Sequence, residues 1–163
     1  MTDKTTVLII DNTKSNQAIF KTYLEMQGFN VCFAENGNET LPAVRRILPD
    51  ILLLNVGAPV RGAFNILEAI KNNPDLYDIP IMVLTAKQLP ETDKKRLHTW
   101  SDAFLVKPFD VSDFLSKLLQ LVRLAKDQNI VMLNAQKQKN RKKALAFTFK
   151  VNQKTDPDFQ IQN

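Results

Sequence analysis

The sequence predicts a doubly wound α/β fold: a five-stranded parallel sheet with helices on both faces, then an extended last helix and a basic tail. Three observations predict it. Five short apolar runs, at 7–11, 31–34, 51–55, 81–86 and 103–107, end in polar or turn residues. Stretches with helical spacing separate them, and the connections are short. Strands alternating with helices in this way build a parallel sheet, and right-handed crossovers put helices on both of its faces.

The run at 51–55, Ile-Leu-Leu-Leu-Asn, organises the rest. Four consecutive apolar residues followed by a turn at Gly57 and Pro59 read as a strand buried on both faces. Asn55 then stands at the carboxyl end of a central strand, where open α/β sheets place their chemistry.

The other elements follow in order. Residues 7–11 form the first strand, with Asp11 and Asn12 at its end. Asn12 to Ser15 offer caps to a helix carrying Ile19, Phe20, Tyr23 and Leu24, which Gly28 stops. Residues 31–34 form a short second strand, and Asn36-Gly37 leads into a helix with Leu41, Val44, Ile47 and Leu48. Pro42 falls early enough in that helix to be tolerated. After the central strand comes a helix with Phe64, Ile66, Leu67 and Ile70, closed by Asn72-Asn73-Pro74. A fourth strand at 81–86, a charged helix opened by Pro90, and a fifth strand at 103–107 broken by Pro108 follow. From Val111 a long helix carries Phe114, Leu115, Leu118, Leu119 and Val122.

Composition narrows the function. A chain of 163 residues with 44% hydrophobic and 24% charged residues fits one ordinary soluble domain plus an appendage. No apolar run is long enough to span a membrane, and the first residues lack a signal peptide's apolar segment, so the expected location is cytoplasmic. One cysteine, Cys32, excludes an internal disulfide and reads as core. One histidine, His98, leaves no zinc or iron cluster and reads as an exposed helix residue. Residues 1–125 hold 14 basic and 14 acidic side chains, whereas 126–163 hold 8 and 3. The whole excess of +5 belongs to the tail. There is no glycine-rich phosphate loop after the first strand and no nucleophile–base pair, so an enzyme is not expected.

The motifs Val-Leu-Ile-Ile-Asp-Asn, Ile-Leu-Leu-Leu-Asn-Val-Gly-Ala-Pro, Val-Leu-Thr-Ala and Leu-Val-Lys-Pro-Phe occur in this order at strand ends. Together they resemble the receiver domain of two-component response regulators, a flavodoxin-like fold, over residues 7 to about 122. The resemblance implies a set of roles. Two acids after the first strand hold Mg²⁺, an aspartate ending the third strand accepts phosphate from a histidine kinase, and a Thr and a Lys contact the phosphoryl oxygens. Asp11, Thr85 and Lys107 match. Asn12 stands where the second acid belongs, and Asn55 stands where the phosphoacceptor belongs.

Both departures bear on the chemistry. Acyl phosphate formation needs a carboxylate nucleophile, and an amide's lone pair is delocalised into its carbonyl. Mg²⁺ takes hard, charged oxygens, and only Asp11 remains to supply one. No phosphorylation at Asn55, no metal and no cofactor are therefore expected. Asn55 can instead bond Lys107 and Thr85 directly and lock the pocket in one state. This resembles the pseudo-receivers, and the resemblance implies a phosphorylation-independent signalling or adaptor module that binds a protein partner. One alternative is a conventional single-domain receiver whose phosphosite aspartate has been exchanged for asparagine. Asn12 speaks against it, because a one-site exchange would leave the second acid in place.

Outside the pocket, Phe104 falls where the family has its switch aromatic, and without a hydroxyl its ring is expected to pack inward. Trp100 falls between the fourth helix and fifth strand, next to the helix 4–strand 5–helix 5 face that receivers use for partners. It reads either as a binding hot spot or as a half-buried cap on local packing. Beyond residue 125, Ala125, Asn129, Met132 and Gln136 prolong the last helix, which could pair with a second copy. The basic run Lys137, Lys139, Arg141, Lys142, Lys143 precedes alternating Leu145, Phe147, Phe149 and Val151, read as a strand added to a sheet edge. Residues 152–163 are polar and expected to be flexible. The expected division is a receiver-like domain at 1–125 and a helical extension with a basic tail at 126–163. The basic run and its phenylalanines complete the candidate partner surface. A second alternative is nucleic-acid association through the same basic run, although no recognition helix is apparent.

Overall fold

Five parallel strands in the order β2-β1-β3-β4-β5 form the sheet of this computed structural model. The strands are β1 (Thr6–Ile10), β2 (Asn30–Ala34), β3 (Ile51–Val56), β4 (Ile81–Thr85) and β5 (Ala103–Val106). Five helices alternate with them: α1 (Lys14–Met26), α2 (Thr40–Ile47), α3 (Arg61–Lys71), α4 (Glu91–Trp100) and α5 (Val111–Thr155). The structure describes residues 4–57 and 59–155, with side chains 128–134 and 141–155 outside the description. Two compact units divide the chain, Met1–Ala125 and Lys126–Asn163.

Strand alternation sorts the core of the first unit into two layers. Leu8, Ile10, Leu52, Leu54, Ile81 and Val83 pack against Val44, Leu67, Ile70 and Leu97 of α2, α3 and α4. Val7, Ile9, Ile51, Leu53, Met82 and Leu84 pack against Leu24 of α1 and Phe114, Leu118 and Leu121 of α5. Side chains along a strand point alternately to opposite faces, so each layer is a set of every second residue. Ile51 to Leu54 are all fully buried because both faces of β3 are covered.

Local departures from the expected pattern have clear causes. Leu48 is not part of the α2 face: the helix ends at Ile47, and Leu48 is 60% exposed in the left-handed region at φ 47°. Pro49 disfavours right-handed helical backbone at the residue before it, so the chain turns out of the helix there. Ile19 is 68% exposed because Leu24, Phe20 and Tyr23 fill the inward side of α1. Gly28, at φ 89°, follows α1 where a left-handed residue ends a helix without strain.

The strand expected over 144–151 is overturned. Helix α5 continues from Val111 through Thr155, so the alternation of Leu145, Phe147, Phe149 and Val151 lies on a helix. No glycine or proline interrupts the chain between Pro108 and Pro157, and Lys, Ala, Leu and Gln favour helix throughout. A four-residue alternation is a weak signal against forty-five uninterrupted helical positions.

Candidate functional site

Strand parity brings the polar residues together. Asn55 has the parity of Ile51 and Leu53, Asp11 that of Val7 and Ile9, and Lys107 that of Ala103 and Leu105, all on the α1–α5 side. The ends of β1 and β3 are adjacent and that of β5 lies one strand further, across β4, with Ile10 opposite Leu54 and Thr85 opposite Val106 in the parallel register.

A direct relay links these three side chains. Lys107 Nζ donates to Asn55 Oδ1 at 2.8 Å, and Asn55 Nδ2 donates to Asp11 Oδ2 at 2.7 Å. An asparagine suits this place because one end of its amide accepts from an ammonium while the other donates to a carboxylate. Asp11 is only 1% exposed, so its charge is held by hydrogen bonds. Its Oδ1 accepts from the Thr13 backbone N–H at 2.7 Å, and its Oδ2 also accepts from Asn16 Nδ2 at 3.2 Å. Gln17 Nε2 donates to the Asp11 carbonyl at 2.6 Å. Among the described residues, no buried side-chain nitrogen or oxygen lacks a partner.

Two of the expected pocket residues stand apart. Thr85 has the parity of Ile81 and Val83, on the opposite face from Asn55; its buried hydroxyl makes a 3.5 Å contact with the Ala86 carbonyl. The expected Thr85–Asn55 bond is therefore not formed. Asn12 is exposed, and its Oδ1 accepts from the Asn36 backbone N–H at 2.6 Å, tying the β1–α1 turn to the β2–α2 turn. Sequence reasoning missed Asn16 and Gln17. The available signal was amides in the first turn of α1, just after a strand-end carboxylate.

Phe104 and Trp100 sit on the other layer. Both are half-buried and pack against the α2–α3–α4 side of the core, with Trp100 as the last residue of α4 rather than in a connection. The Phe104 ring lies 5.6 Å from the exposed His98 ring and is half-buried, short of the fully inward packing expected of it. A groove of about 500 Å³ beside it is lined by Glu91, Lys94, Lys95, His98, Thr99 and Val106, with Lys94 paired to Glu91 at 2.9 Å. Cys32 is half-buried against the same core layer. On α5, Lys137 and Lys139 are exposed, whereas the side chains of Arg141, Lys142, Lys143, Phe147 and Phe149 lie outside the described residues.

Residues 7–119 match the response regulator receiver domain. The chain belongs to this family. It is 29% identical over 119 residues to the probable transcriptional regulatory protein TcrX of Mycobacterium tuberculosis, covering 72% of this chain and 50% of that one. Identity to the transcriptional regulatory protein KdpE of Staphylococcus aureus is 27% over 131 residues, covering 78% and 55%. The chain thus spans about half the length of these curated relatives. Among solved structures, the N-terminal domain of a receiver protein from Methanoculleus marisnigri is 30% identical with a TM-score of 0.54, covering 69% of this chain and 92% of that one. A putative response regulator from Chloroflexus aurantiacus shares the fold at a TM-score of 0.67 and 23% identity, covering 74% and 99%. Among the described residues no helix is long and apolar enough to cross a membrane.

The receiver family's Mg²⁺ does not fit the residues present here. Asp11 is the one carboxylate, and three N–H donors already occupy it. The Asn12 oxygen is committed to Asn36. Among the described residues no group of three or more His, Cys, Asp or Glu is placed to hold a metal ion.

Proposed function

We propose that this receiver is a phosphorylation-independent, non-enzymatic module that acts by binding a protein partner. The observation behind this reading is the relay Lys107–Asn55–Asp11, in which an amide joins the lysine to the aspartate. At the strand end where an acyl phosphate would form there is no carboxylate nucleophile, and the amide's two ends are already bonded. Recognition then falls to the surface, and the α4–β5 groove beside Phe104, near Trp100, has the mixed apolar and charged lining of a protein-binding site. The exposed Lys137 and Lys139 add positive charge along α5.

Two measurements test the reading on the full chain. Intact mass after treatment with acetyl phosphate and Mg²⁺ is expected to show no phosphoryl adduct, and an adduct overturns the proposal. Affinity capture from the source cell is expected to retain the same partner with or without a phosphodonor, and Trp100→Ala is expected to weaken it. If Asn55→Asp instead takes phosphate readily with Asn12 in place, the chain is a conventional receiver with an exchanged phosphosite.

A specific observation also favours a second reading, association with nucleic acid. Residues 126–163 hold 8 basic against 3 acidic side chains, and one similar protein is the DNA-binding dual master transcriptional regulator RpaA of Synechocystis. Retention on DNA that falls steeply with salt and disappears when Lys137, Lys139, Arg141, Lys142 and Lys143 are all replaced by Gln would support it.

A further inference from the structure

The geometry points to a clamp of amide donors on Asp11 that does the work of a bound cation and excludes one. This deepens the reading above, because it concerns how the same pocket is held without a metal. A carboxylate offers about four lone-pair directions. Three are filled here: Oδ2 by Asn55 Nδ2 and Asn16 Nδ2, Oδ1 by the Thr13 backbone N–H. Mg²⁺ requires oxygens at about 2.0–2.1 Å in near-octahedral array. An ion approaching Asp11 at that distance meets N–H hydrogens on three sides. The Asn12 oxygen, the nearest alternative ligand in sequence, is bonded to Asn36 N–H at 2.6 Å. Lys107, reached through Asn55, supplies the compensating positive charge.

The donors come from three parts of the fold, so the clamp is also a tether. Asn55 reaches Asp11 from β3, Thr13 from the β1–α1 turn, and Asn16 from the first turn of α1. Gln17, the next residue of α1, holds the Asp11 carbonyl at 2.6 Å. Asn16 and Gln17 are thus positioning residues: they fix the start of α1 against the end of β1, and Asn16 occupies a direction from which a cation would be held. Asn16→Asp reverses this role by exchanging a donor for a second carboxylate beside Asp11.

Thermal unfolding and calorimetric titration of the full-length protein with Mg²⁺ alone provide the test. The unaltered protein is expected to show no binding heat and no change in unfolding midpoint at millimolar Mg²⁺. Asn16→Ala is expected to lower the midpoint by about 2–8 °C through loss of one charge-assisted bond. Asn16→Asp is expected to be less stable without metal and to recover stability, with measurable heat, when Mg²⁺ is added. Mg²⁺ that stabilises the unaltered protein or binds it with measurable heat overturns the clamp. An Asn16→Asp protein as stable as the parent and indifferent to Mg²⁺ also overturns it. The parent titration decides the matter even where the aspartate variant does not fold. Neither outcome depends on partner capture or on a phosphoryl adduct, so failure here and failure of the proposed function are separately visible.

Discussion

Asn55→Asp is the change that most sharply tests the pocket, and its cost can be worked from the distances. The substitution replaces the Nδ2 donor, 2.7 Å from Asp11 Oδ2, with an anionic oxygen. At an effective dielectric of about 20, two unit charges at that separation repel by roughly 6 kcal/mol. The new carboxylate also gains Lys107, whose Nζ lies 2.8 Å from the position 55 oxygen, and the attraction is again roughly 6 kcal/mol. These gross terms nearly cancel. What remains is the lost charge-assisted hydrogen bond, about 1.5–3 kcal/mol, or about 5–10 °C in unfolding midpoint at neutral pH. With the two charge terms nearly balanced, the hydrogen bond that only the protonated carboxyl can donate to Asp11 raises its pKa in the folded state above the ordinary value of about 3.9. Within the window upward from that value the folded variant binds more protons than the unfolded chain, so its stability falls as pH rises. Below the window a proton on the introduced carboxyl restores a donor toward Asp11. Urea unfolding of both proteins in mildly acidic and neutral buffer measures the gap. A variant as stable as the parent at neutral pH, or a gap that does not shrink on acidification, refutes the reasoning.

Three further outcomes are expected. Lys107→Met leaves the Asn55 oxygen without its donor and Asp11 without its compensating charge, and should cost about 2–4 kcal/mol in urea unfolding. Leu48→Gly relieves a left-handed leucine whose side chain is mostly exposed, and should raise stability by about 0.5–1 kcal/mol in thermal unfolding. Phe114→Ala empties the fully buried ring site where Phe20 and Phe109 converge at 5.4 and 5.8 Å, and should cost about 3–5 kcal/mol in the same denaturation assay.

The order of elements was readable because each strand is a buried apolar run ending in a polar residue. The register was less readable, yet it decides the site. Counting alternate residues along β4 would have put Thr85 on the face away from Asn55, whereas strand-end motifs alone group the two. Asn16 and Gln17 escaped notice because polar residues in a first helical turn look like solvated surface. Only the fold shows them turned back to Asp11. Leu48 was misplaced because helical periodicity fits it, while the steric demand of Pro49 acts on backbone rather than on hydrophobicity. In the tail, alternation suggested a strand, but nothing in the sequence between Pro108 and Pro157 stops the helix.

The survival of Asp11 and Lys107 beside two amides has a physical reason that does not require phosphotransfer. A carboxylate 1% exposed to solvent is costly unless it is paired and hydrogen-bonded. Removing the lysine strands that charge, and removing the aspartate leaves Thr13 N–H, Asn16 and Asn55 without their acceptor. The pair therefore works as internal structure once Asn55 bridges it, and the pocket's polar atoms are spent on one another. Under the proposed function, specificity has to come from side chains the relay leaves free. Those nearest the sheet are on α4 and β5, where Lys95 and His98 are exposed beside half-buried Phe104 and Trp100. Lys94 is paired with Glu91, so Lys95 beside the Phe104 ring favours a partner segment that offers one acidic group and an apolar side chain to cover Phe104. Binding weakened by salt and by Phe104→Ala, but unchanged by Asn16→Ala, is the pattern expected if pocket and surface have separated in this way.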